Sequence, residues 1–296
     1  MDDLTQLEKA SDSSPQGYGM TASTRAWLQM HFCVLLWGFT AILGRAISLD
    51  ALPLVWLRMV VVTVALLLFP GFWKGLSRMS PRLILIYLGI GALVTAHWLT
   101  FYSAIKIANA SVAATCMALT PVFVALVEPL MIRRRFDVRE LFFGIAVVPG
   151  VFLVVGGTPT GMRTGIAVGI LSAFFASLFS TLNKRYVHDG DATTVTGLEM
   201  VVGAVFLTFV SPHVVPGGQD AFLILVLAIG CTLVPYVLSL VALRHMSAFS
   251  ASLAVNMEPV YAILLAIPLL GEQRELSMPF YAGVAIIMLV VLGHRR

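Results

Sequence analysis

The chain carries ionisable side chains within long apolar stretches, where a charge is costly. An ionised residue at the centre of a membrane helix costs about 2.5–3.5 kcal/mol on insertion scales, so such residues are usually paired or functional. Their chemistry is the binding of an opposite charge, or the uptake and release of a proton. The residues concerned are Arg58, His97, Glu128, Glu199 and Glu258.

Motifs for bond-breaking chemistry are missing from the sequence. It contains no G-x-x-x-x-G-K-[ST] phosphate loop, no H-E-x-x-H zinc motif and no G-x-S-x-G nucleophile motif. No acidic cluster has the spacing of metal ligands, so we predict no metal, no cofactor and no enzymatic activity. Binding and proton exchange are the chemistry that remains.

Two prolines interrupt apolar stretches at equivalent points in the two halves of the chain. Pro121 follows Thr120, and Pro259 follows Glu258. A proline inside a helix removes a hydrogen bond, and matched helix breaks point to a transporter binding site. A kink tolerated by packing is the alternative. Because Glu258 has no basic neighbour in the sequence, we expect it to couple transport to protons; a buried, hydrogen-bonded carboxyl is the alternative.

Two charged residues of opposite sign occupy matching positions. Residues 57–61 reappear as residues 198–202, which aligns Arg58 with Glu199. A mutual ion pair between them is conceivable. Glu128 lies close to the basic run at residues 133–135, so we expect it to pair with that run near the membrane surface.

Other polar and aromatic side chains are expected at mid-membrane depth. Trp and Tyr usually lie at membrane interfaces, so deep ones are candidates for stacking or cation–π contacts with a substrate; core packing is the alternative for each. Asn256 and Glu258 are two positions apart and point to nearly opposite helix faces, so both cannot line one cavity. The predicted substrate-binding residues are Trp37, His97, Trp98, Tyr102, Tyr236 and Asn256.

Composition predicts the elements that position these residues. Of the 296 residues, 59% are hydrophobic and 11% are charged, which leaves too few polar groups to cover a globular surface. Most of the chain must therefore face lipid, as an all-α integral membrane protein. Ten apolar segments predict ten transmembrane helices, several shorter than the roughly 20 residues of a perpendicular span. They are residues 27–47, 52–69, 83–104, 108–132, 141–155, 165–182, 195–210, 221–243, 248–270 and 278–292.

An internal repeat relates the two halves of the chain. Residues 104–123 reappear as residues 242–261 at an offset of 138. Each half holds five segments, and an odd number of crossings places the second half upside down relative to the first. The sequence therefore predicts two inverted five-helix repeats.

Basic residues indicate the orientation, because cytoplasmic loops carry the excess of Lys and Arg. Ten crossings place fourteen of the 19 Lys and Arg residues on the side of both termini and four on the other side. Both termini are therefore predicted to be cytoplasmic, in a multi-pass protein of the plasma (inner) membrane. The net charge of +4 reflects this topology, and we expect no nucleic-acid partner. Residues 1–24 are Ser-rich and predict a disordered cytoplasmic tail.

Several motifs resemble the EamA-type branch of the drug/metabolite transporter superfamily. They are Arg58 in a Pro-Leu-Val-Trp-Leu-Arg-Met segment, residues 120–123 (Thr-Pro-Val-Phe), residues 258–261 (Glu-Pro-Val-Tyr) and residues 270–272 (Leu-Gly-Glu). The resemblance implies one repeat at residues 25–156 and a second at residues 163–294, around a central cavity. The chain departs from this pattern at residues 133–135, where three arginines replace a Gly-Glu ending.

These observations predict a secondary transporter, and an exporter, of a small polar or amphipathic metabolite such as an amino acid. Its partners would be that substrate, the lipid bilayer and coupled protons. A non-transporting membrane assembly partner is the alternative, and a membrane-embedded lipid-modifying enzyme is a weaker one.

Opposite-side labelling tests the predicted topology. Cysteines introduced at Lys74 and Arg163 should react with a membrane-impermeant thiol reagent from opposite faces of the membrane, because the two loops lie on different sides in the ten-crossing arrangement. The unsubstituted chain, which has three cysteines, is the control. Labelling of both positions from one face would contradict the inverted repeat.

Overall fold

A computed structural model describes residues 21–271, 274 and 276–293 of the chain. This part of the chain is helical, with no β-strand. The predicted tail falls mainly on residues 1–20, which lie outside the described residues; helix α1 begins at Ala22.

The described residues of the first half form eight α-helices. A 3₁₀ turn, Met117–Leu119, separates α5 from α6. Helices α2 and α3 are bent by 84° relative to each other, so α3 turns away from the axis of α2. The helices are α1 (Ala22–Ala46), α2 (Ala51–Leu67), α3 (Pro70–Leu76), α4 (Pro81–Ile107), α5 (Ala110–Cys116), α6 (Thr120–Ile132), α7 (Val138–Ala146) and α8 (Val148–Gly156).

Seven further α-helices lie in the part of the second half that the structure describes. A 3₁₀ turn, Thr160–Met162, precedes its first helix, and a π-helix, Val226–Leu233, joins α11 to α12. The helices are α9 (Arg163–Tyr186), α10 (Ala192–Val210), α11 (Gly218–Leu225), α12 (Val234–Leu243), α13 (Ala248–Val255), α14 (Glu258–Leu270) and α15 (Met278–Gly293).

The described residues contain seven stretches long and apolar enough to span a membrane, or eight when the bent pair α2 and α3 counts as one span. Ten spans were predicted. The fifth segment is divided between α7 and α8, because Pro149 lacks an amide hydrogen and a new helix begins beside it. The tenth segment forms α15, whose apolar stretch is shorter than a perpendicular span needs.

Polar caps begin equivalent helices in the two halves. The Asn109 side chain accepts a hydrogen bond from the amide of Val112 and caps α5, and the Ser247 side chain accepts one from the amide of Ser250 and caps α13. Such caps satisfy amides that have no partner within the helix. Asn109 and Ser247 are 138 positions apart, so repeat-equivalent residues form the N-caps of these two helices.

The two halves pack against each other in a reciprocal pattern. Helix α9 packs against α4 and α6, and α1 packs against α12 and α14 in the same way. Helix α2 packs against α10, and α8 against α15. Contacts between the halves therefore form the core of the bundle, and neither half encloses a core alone.

Hydrogen bonds tie the helices together at both ends of the bundle. At one end, Lys106 Nζ donates to the carbonyl of Ile47 at 2.6 Å. At the other end, Arg244 donates to the carbonyls of Val187 and Gly190 at 3.3 and 3.0 Å. Lys106 and Arg244 are repeat equivalents, so matching residues cap carbonyls at the two ends. We name these the Lys106 end and the Arg244 end.

A glycine allows a close contact between α4 and α10. A Cβ added at Gly91 would overlap the backbone of Glu199. Gly91→Ala should therefore destabilise the protein by about 1–3 kcal/mol, the usual cost of overpacking. Thermal or denaturant unfolding of the purified protein in detergent measures this. Gly89→Ala is the matched control, since nothing lies within 4 Å of an added Cβ there. Equal stability of the two variants would contradict this packing.

Candidate functional site

A cavity of about 120 Å³ lies between the two halves of the bundle. Its wall includes six of the residues singled out in the sequence. Three others, Tyr102, Asn256 and Glu199, lie behind the wall. The six wall residues are Trp37, Arg58, His97, Trp98, Tyr236 and Glu258.

Arg58 is almost completely buried, with 1% of its surface exposed, and it projects from α2 into the wall of the cavity. Its Nε donates to Thr232 Oγ1 at 2.5 Å, and its Nη1 donates to Tyr102 Oη at 2.7 Å. Its Cζ lies 3.9 Å from the centroid of the Trp98 ring, a cation–π contact. Within the described residues no carboxylate oxygen lies within 4 Å of the guanidinium. The group is held in place while its charge remains uncompensated at short range.

The π-helix supplies the acceptor for Arg58. Thr232 Oγ1 donates to the carbonyl of Leu227, five residues earlier, and accepts from Arg58 Nε. A π-helix shifts the register of the side chains that follow it and is frequent at functional sites. Pro235 lies just beyond this segment and contributes no amide hydrogen, which favours irregular bonding here.

Glu258 is the first residue of α14 and lies in the cavity wall, directly before Pro259. It forms no side-chain hydrogen bond or salt bridge with the described residues. Arg58 is nonetheless close enough to act on it electrostatically. The sequence suggested that Glu258 lacks a basic partner, whereas the fold brings it to the same cavity as Arg58. An acidic and a basic side chain thus face one small space without a salt bridge between them.

The two prolines lie where the helices restart. Pro121 is in the first turn of α6 and Pro259 is in the first turn of α14. The residue before each proline, Thr120 or Glu258, lines the cavity. Asn256 faces away from it and donates to the carbonyl of Ala118 at 3.3 Å, its repeat equivalent 138 positions earlier. Asn256 therefore joins the two broken helices and does not belong to the cavity wall.

Aromatic side chains from both halves meet at the cavity. Trp98 and Tyr236 are in edge-on contact, with ring centroids 6.3 Å apart. The imidazole of His97 is anchored at Nδ1 by Ser172, whose Oγ lies 2.9 Å away. Trp37 is partly buried and also lines the cavity. These rings make most of the wall apolar around the two charged groups.

Glu199 lies behind Tyr236 and does not pair with Arg58. Its Oε2 accepts from Tyr236 Oη and from Asn183 Nδ2, the latter at 3.3 Å. The ion pair considered from the sequence is therefore absent, because each residue is bonded within its own group of side chains. Glu128 behaves as predicted from the sequence, since Arg134 lies 3.1 Å from its carboxylate and also binds Glu140.

Several polar wall residues were not among those predicted to bind substrate. Thr40 and Thr120 line the cavity, and their buried hydroxyl oxygens have no hydrogen-bond partner within the described residues. Asn183 lines it too, one position beyond the predicted end of its segment. Thr232 could not be found from the sequence, because only the π-helix directs it to Arg58. A polar residue near a segment end was the available signal for Asn183.

The chain belongs to the EamA-like transporter family, which matches it twice, at residues 25–156 and 163–293. The two matches are consecutive and together cover most of the chain. The protein is therefore a multi-pass membrane protein of a transporter family, which fits the lack of enzyme motifs.

Similar proteins agree with this family. The chain is 25% identical to an uncharacterized inner membrane transporter, YicL, of Salmonella typhimurium, covering 94% of this chain and 98% of that protein. It is 24% identical to an uncharacterized transporter, YxxF, of Bacillus subtilis, covering 89% of this chain and 86% of that protein. It is also 24% identical to an uncharacterized transporter of Archaeoglobus fulgidus, covering 92% and 100%.

A solved crystal structure shares the fold. The two chains superpose with a TM-score of 0.68 at 18% identity, covering 92% of this chain and 98% of the other.

Removing one acceptor should reveal the cost of burying Arg58. Tyr102→Phe leaves Nη1 of Arg58 without its partner, and an unsatisfied buried group costs about 1–3 kcal/mol, more when it is charged. Unfolding in detergent measures the loss. Tyr261→Phe is the control, because the Tyr261 hydroxyl forms no hydrogen bond within the described residues. An unchanged stability for Tyr102→Phe would show that Arg58 does not depend on this bond.

Proposed function

We propose that this protein is a secondary transporter that exports a small zwitterionic metabolite, such as an amino acid. The observation that supports this proposal is the presence of Arg58 and Glu258 at one buried cavity without a salt bridge between them. A substrate with one carboxylate and one ammonium group would neutralise both charges. Its carboxylate would bind the guanidinium and its ammonium group would bind Glu258.

The remaining wall residues suit an amphipathic molecule of this kind. The unpartnered hydroxyls of Thr40 and Thr120 offer hydrogen bonds to polar substrate atoms. Trp37, Trp98 and Tyr236 offer an apolar surface to its side chain. His97 is held by Ser172 and contributes through the face of its ring.

The proposed architecture is a ten-crossing bundle of two inverted repeats in the plasma membrane, with both termini in the cytoplasm. The reciprocal packing of α1 and α9 supports this arrangement, since each packs against the third and fourth segments of the other half. The capped carbonyls at the Lys106 and Arg244 ends support it as well. The short fifth and tenth segments would cross with local thinning of the bilayer.

The cavity extends toward one end of the bundle. Its wall includes Asn183 and Leu243, which lie within about one turn of the ends of α9 and α12. The basic-residue bias assigns this Arg244 end to the cytoplasm. The conformation therefore suits uptake of a cytoplasmic substrate, and rocking of the two halves would carry the substrate to the other side.

Proton coupling through Glu258 would provide the driving force. The substrate ammonium group and a proton compete for one carboxylate, so binding of one releases the other. A proton taken up outside would return to the cytoplasm in exchange for exported substrate. This exchange needs no ATP and adds no further site to the carrier.

Measurements of substrate flux and of product formation distinguish transport from two other functions. A membrane assembly partner would keep its deep polar residues for packing and would carry no substrate. A lipid-modifying enzyme would form a product. The cavity at the contact of the two halves favours transport over both.

Matched ligands and variants test the proposal. Thermal unfolding of the full chain should be shifted upward by an amino acid, but not by its N-acetyl or methyl ester derivative, because a ligand specific to the folded state stabilises it. Arg58→Gln should weaken binding about tenfold or more, given that charge-assisted hydrogen bonds contribute about 1.5–3 kcal/mol. In proteoliposomes, Glu258→Gln should lose accumulation driven by a pH gradient, and should retain exchange between equal pools only at substrate concentrations raised to offset the lost contact with the ammonium group.

Asp189→Asn, a change at an exposed carboxylate, is the control for the loss of a negative charge. Gradient-driven accumulation that survives in Glu258→Gln would remove this residue from coupling. Stabilisation by the blocked derivatives would contradict a zwitterionic substrate. Absence of flux for every ligand that binds would favour the assembly partner.

A further inference from the structure

Two buried oxygen atoms beside the main cavity have no hydrogen-bond donor. They are Oε1 of Glu199 and Oδ1 of Asn183, and neither has a partner among the described residues. Glu199 is fully buried, and Asn183 has 2% of its surface exposed. The two side chains already touch, since Asn183 Nδ2 donates to Oε2 of Glu199 at 3.3 Å. The pair therefore has more acceptor atoms than donors.

This shortage of donors is costly in a lipid-embedded bundle. An unsatisfied buried polar atom costs about 1–3 kcal/mol, and an ionised carboxylate without compensation costs more. A proton on Oε1 removes the charge and provides a hydroxyl donor. Asn183 Oδ1 is an unpartnered acceptor on the side chain next to it.

The charged groups on the surrounding helices do not compensate Glu199. Arg58 on α2 is bonded to Thr232 and Tyr102, and His97 on α4 is anchored by Ser172. No Lys, Arg or His within the described residues forms a salt bridge with Glu199. Of the ionisable residues on the helices packed against α10, Tyr87 and Tyr236 interact electrostatically with Glu199. The full set is Arg58 on α2, Lys74 on α3, Arg82, Tyr87, His97, Tyr102 and Lys106 on α4, and Tyr236 on α12.

A second, smaller cavity leads from Asn183 toward the Arg244 end. It has a volume of about 10 Å³ and shares Asn183 and Leu240 with the main cavity. Its wall also includes Tyr87, whose hydroxyl donates to the carbonyl of Tyr186, and Arg244. Asn183 therefore stands between the main cavity and the helix ends that the basic-residue bias places in the cytoplasm.

A continuous line of contacts connects Glu199 with Arg58. Tyr236 Oη donates to the carboxylate, and the Tyr236 ring contacts the edge of Trp98. The Trp98 ring in turn contacts the guanidinium of Arg58. Protonation at Oε1 leaves Oε2 as a neutral acceptor and so weakens the hydrogen bond that the Tyr236 hydroxyl donates to it. The ring that carries this hydroxyl is part of the main cavity wall.

We propose that Glu199 is a second proton-binding site, reached from the Arg244 end through the small cavity, with Tyr236 as the positioning residue that links it to the main cavity. The proton binds to Oε1 and leaves by the same oxygen. The linkage to transport rests on the proposed function, whereas the binding of a proton at Glu199 does not.

Infrared difference spectroscopy of the purified full-length protein tests proton binding without any substrate. The Glu258→Gln variant serves as the background, because it removes the carboxyl that lines the main cavity. The pH is varied from about 5 to about 9, a range that includes the pKa values documented for buried glutamates. A band of a protonated, buried carboxyl should be present at low pH and should be lost as the pH rises. The band should shift in D₂O and be absent when Glu199→Gln is added.

Tyr236→Phe in the same background keeps Glu199 and removes its hydroxyl donor, so it should displace the pH at which half of the band is lost. This variant also covers the case in which Glu199→Gln does not fold. Asp189→Asn should leave the band unchanged, because the Asp189 carboxyl is exposed at the surface. The band should not depend on sodium at fixed pH.

Three results would overturn the proposal. A band that persists after Glu199→Gln would come from another carboxyl. A spectrum without a titrating buried carboxyl would show that Glu199 does not exchange protons in this range. Loss of the band on adding sodium would make the carboxylate and amide oxygens a sodium site. None of these results bears on whether the protein carries substrate, so failure of this proposal is distinguishable from failure of the transport proposal.

Discussion

A guanidinium buried in a lipid-embedded bundle requires acceptors from the protein, and the site depends on how Arg58 meets this requirement. Thr232, within the π-helix, is one of these acceptors, and it is itself bonded to the carbonyl of Leu227, five residues earlier. Tyr102 and Trp98 supply the other contacts. Neutral groups thus stabilise the cation, so its charge stays available at the cavity instead of being neutralised by a carboxylate of the protein.

The repeat places different chemistry at matching positions. Arg58 and Glu199 are repeat equivalents, and each bonds the hydroxyl of a tyrosine on the third segment of its own half. The cation lies at the cavity, whereas the carboxylate lies behind an aromatic ring. Two halves with similar backbones therefore provide unlike environments on the two sides of the molecule.

Sequence patterns located much of the site because they report depth and helix face. Trp37, Trp98 and Tyr236 were chosen as deep aromatics, and all three line the cavity. Tyr102 was chosen on the same grounds, but Arg58 stands in front of it. Asn256 joins the broken helices instead, as its position on the face opposite Glu258 allowed. Depth can be inferred from hydropathy, whereas the neighbour on the next helix cannot.

Composition, the repeat and the proline breaks by themselves determined a lipid-embedded helical bundle with two related halves, because these features depend on local hydropathy and on residue type. The breaks before Pro121 and Pro259 agree with the missing amide hydrogen, although the same two helices continue through Pro129 and Pro268. Only the tertiary structure decided that Arg58 lines the same cavity as Glu258 and that it forms no salt bridge with Glu199. Such pairings depend on packing between segments more than a hundred residues apart, and on the π-helix, whose register shift no local residue pattern specifies.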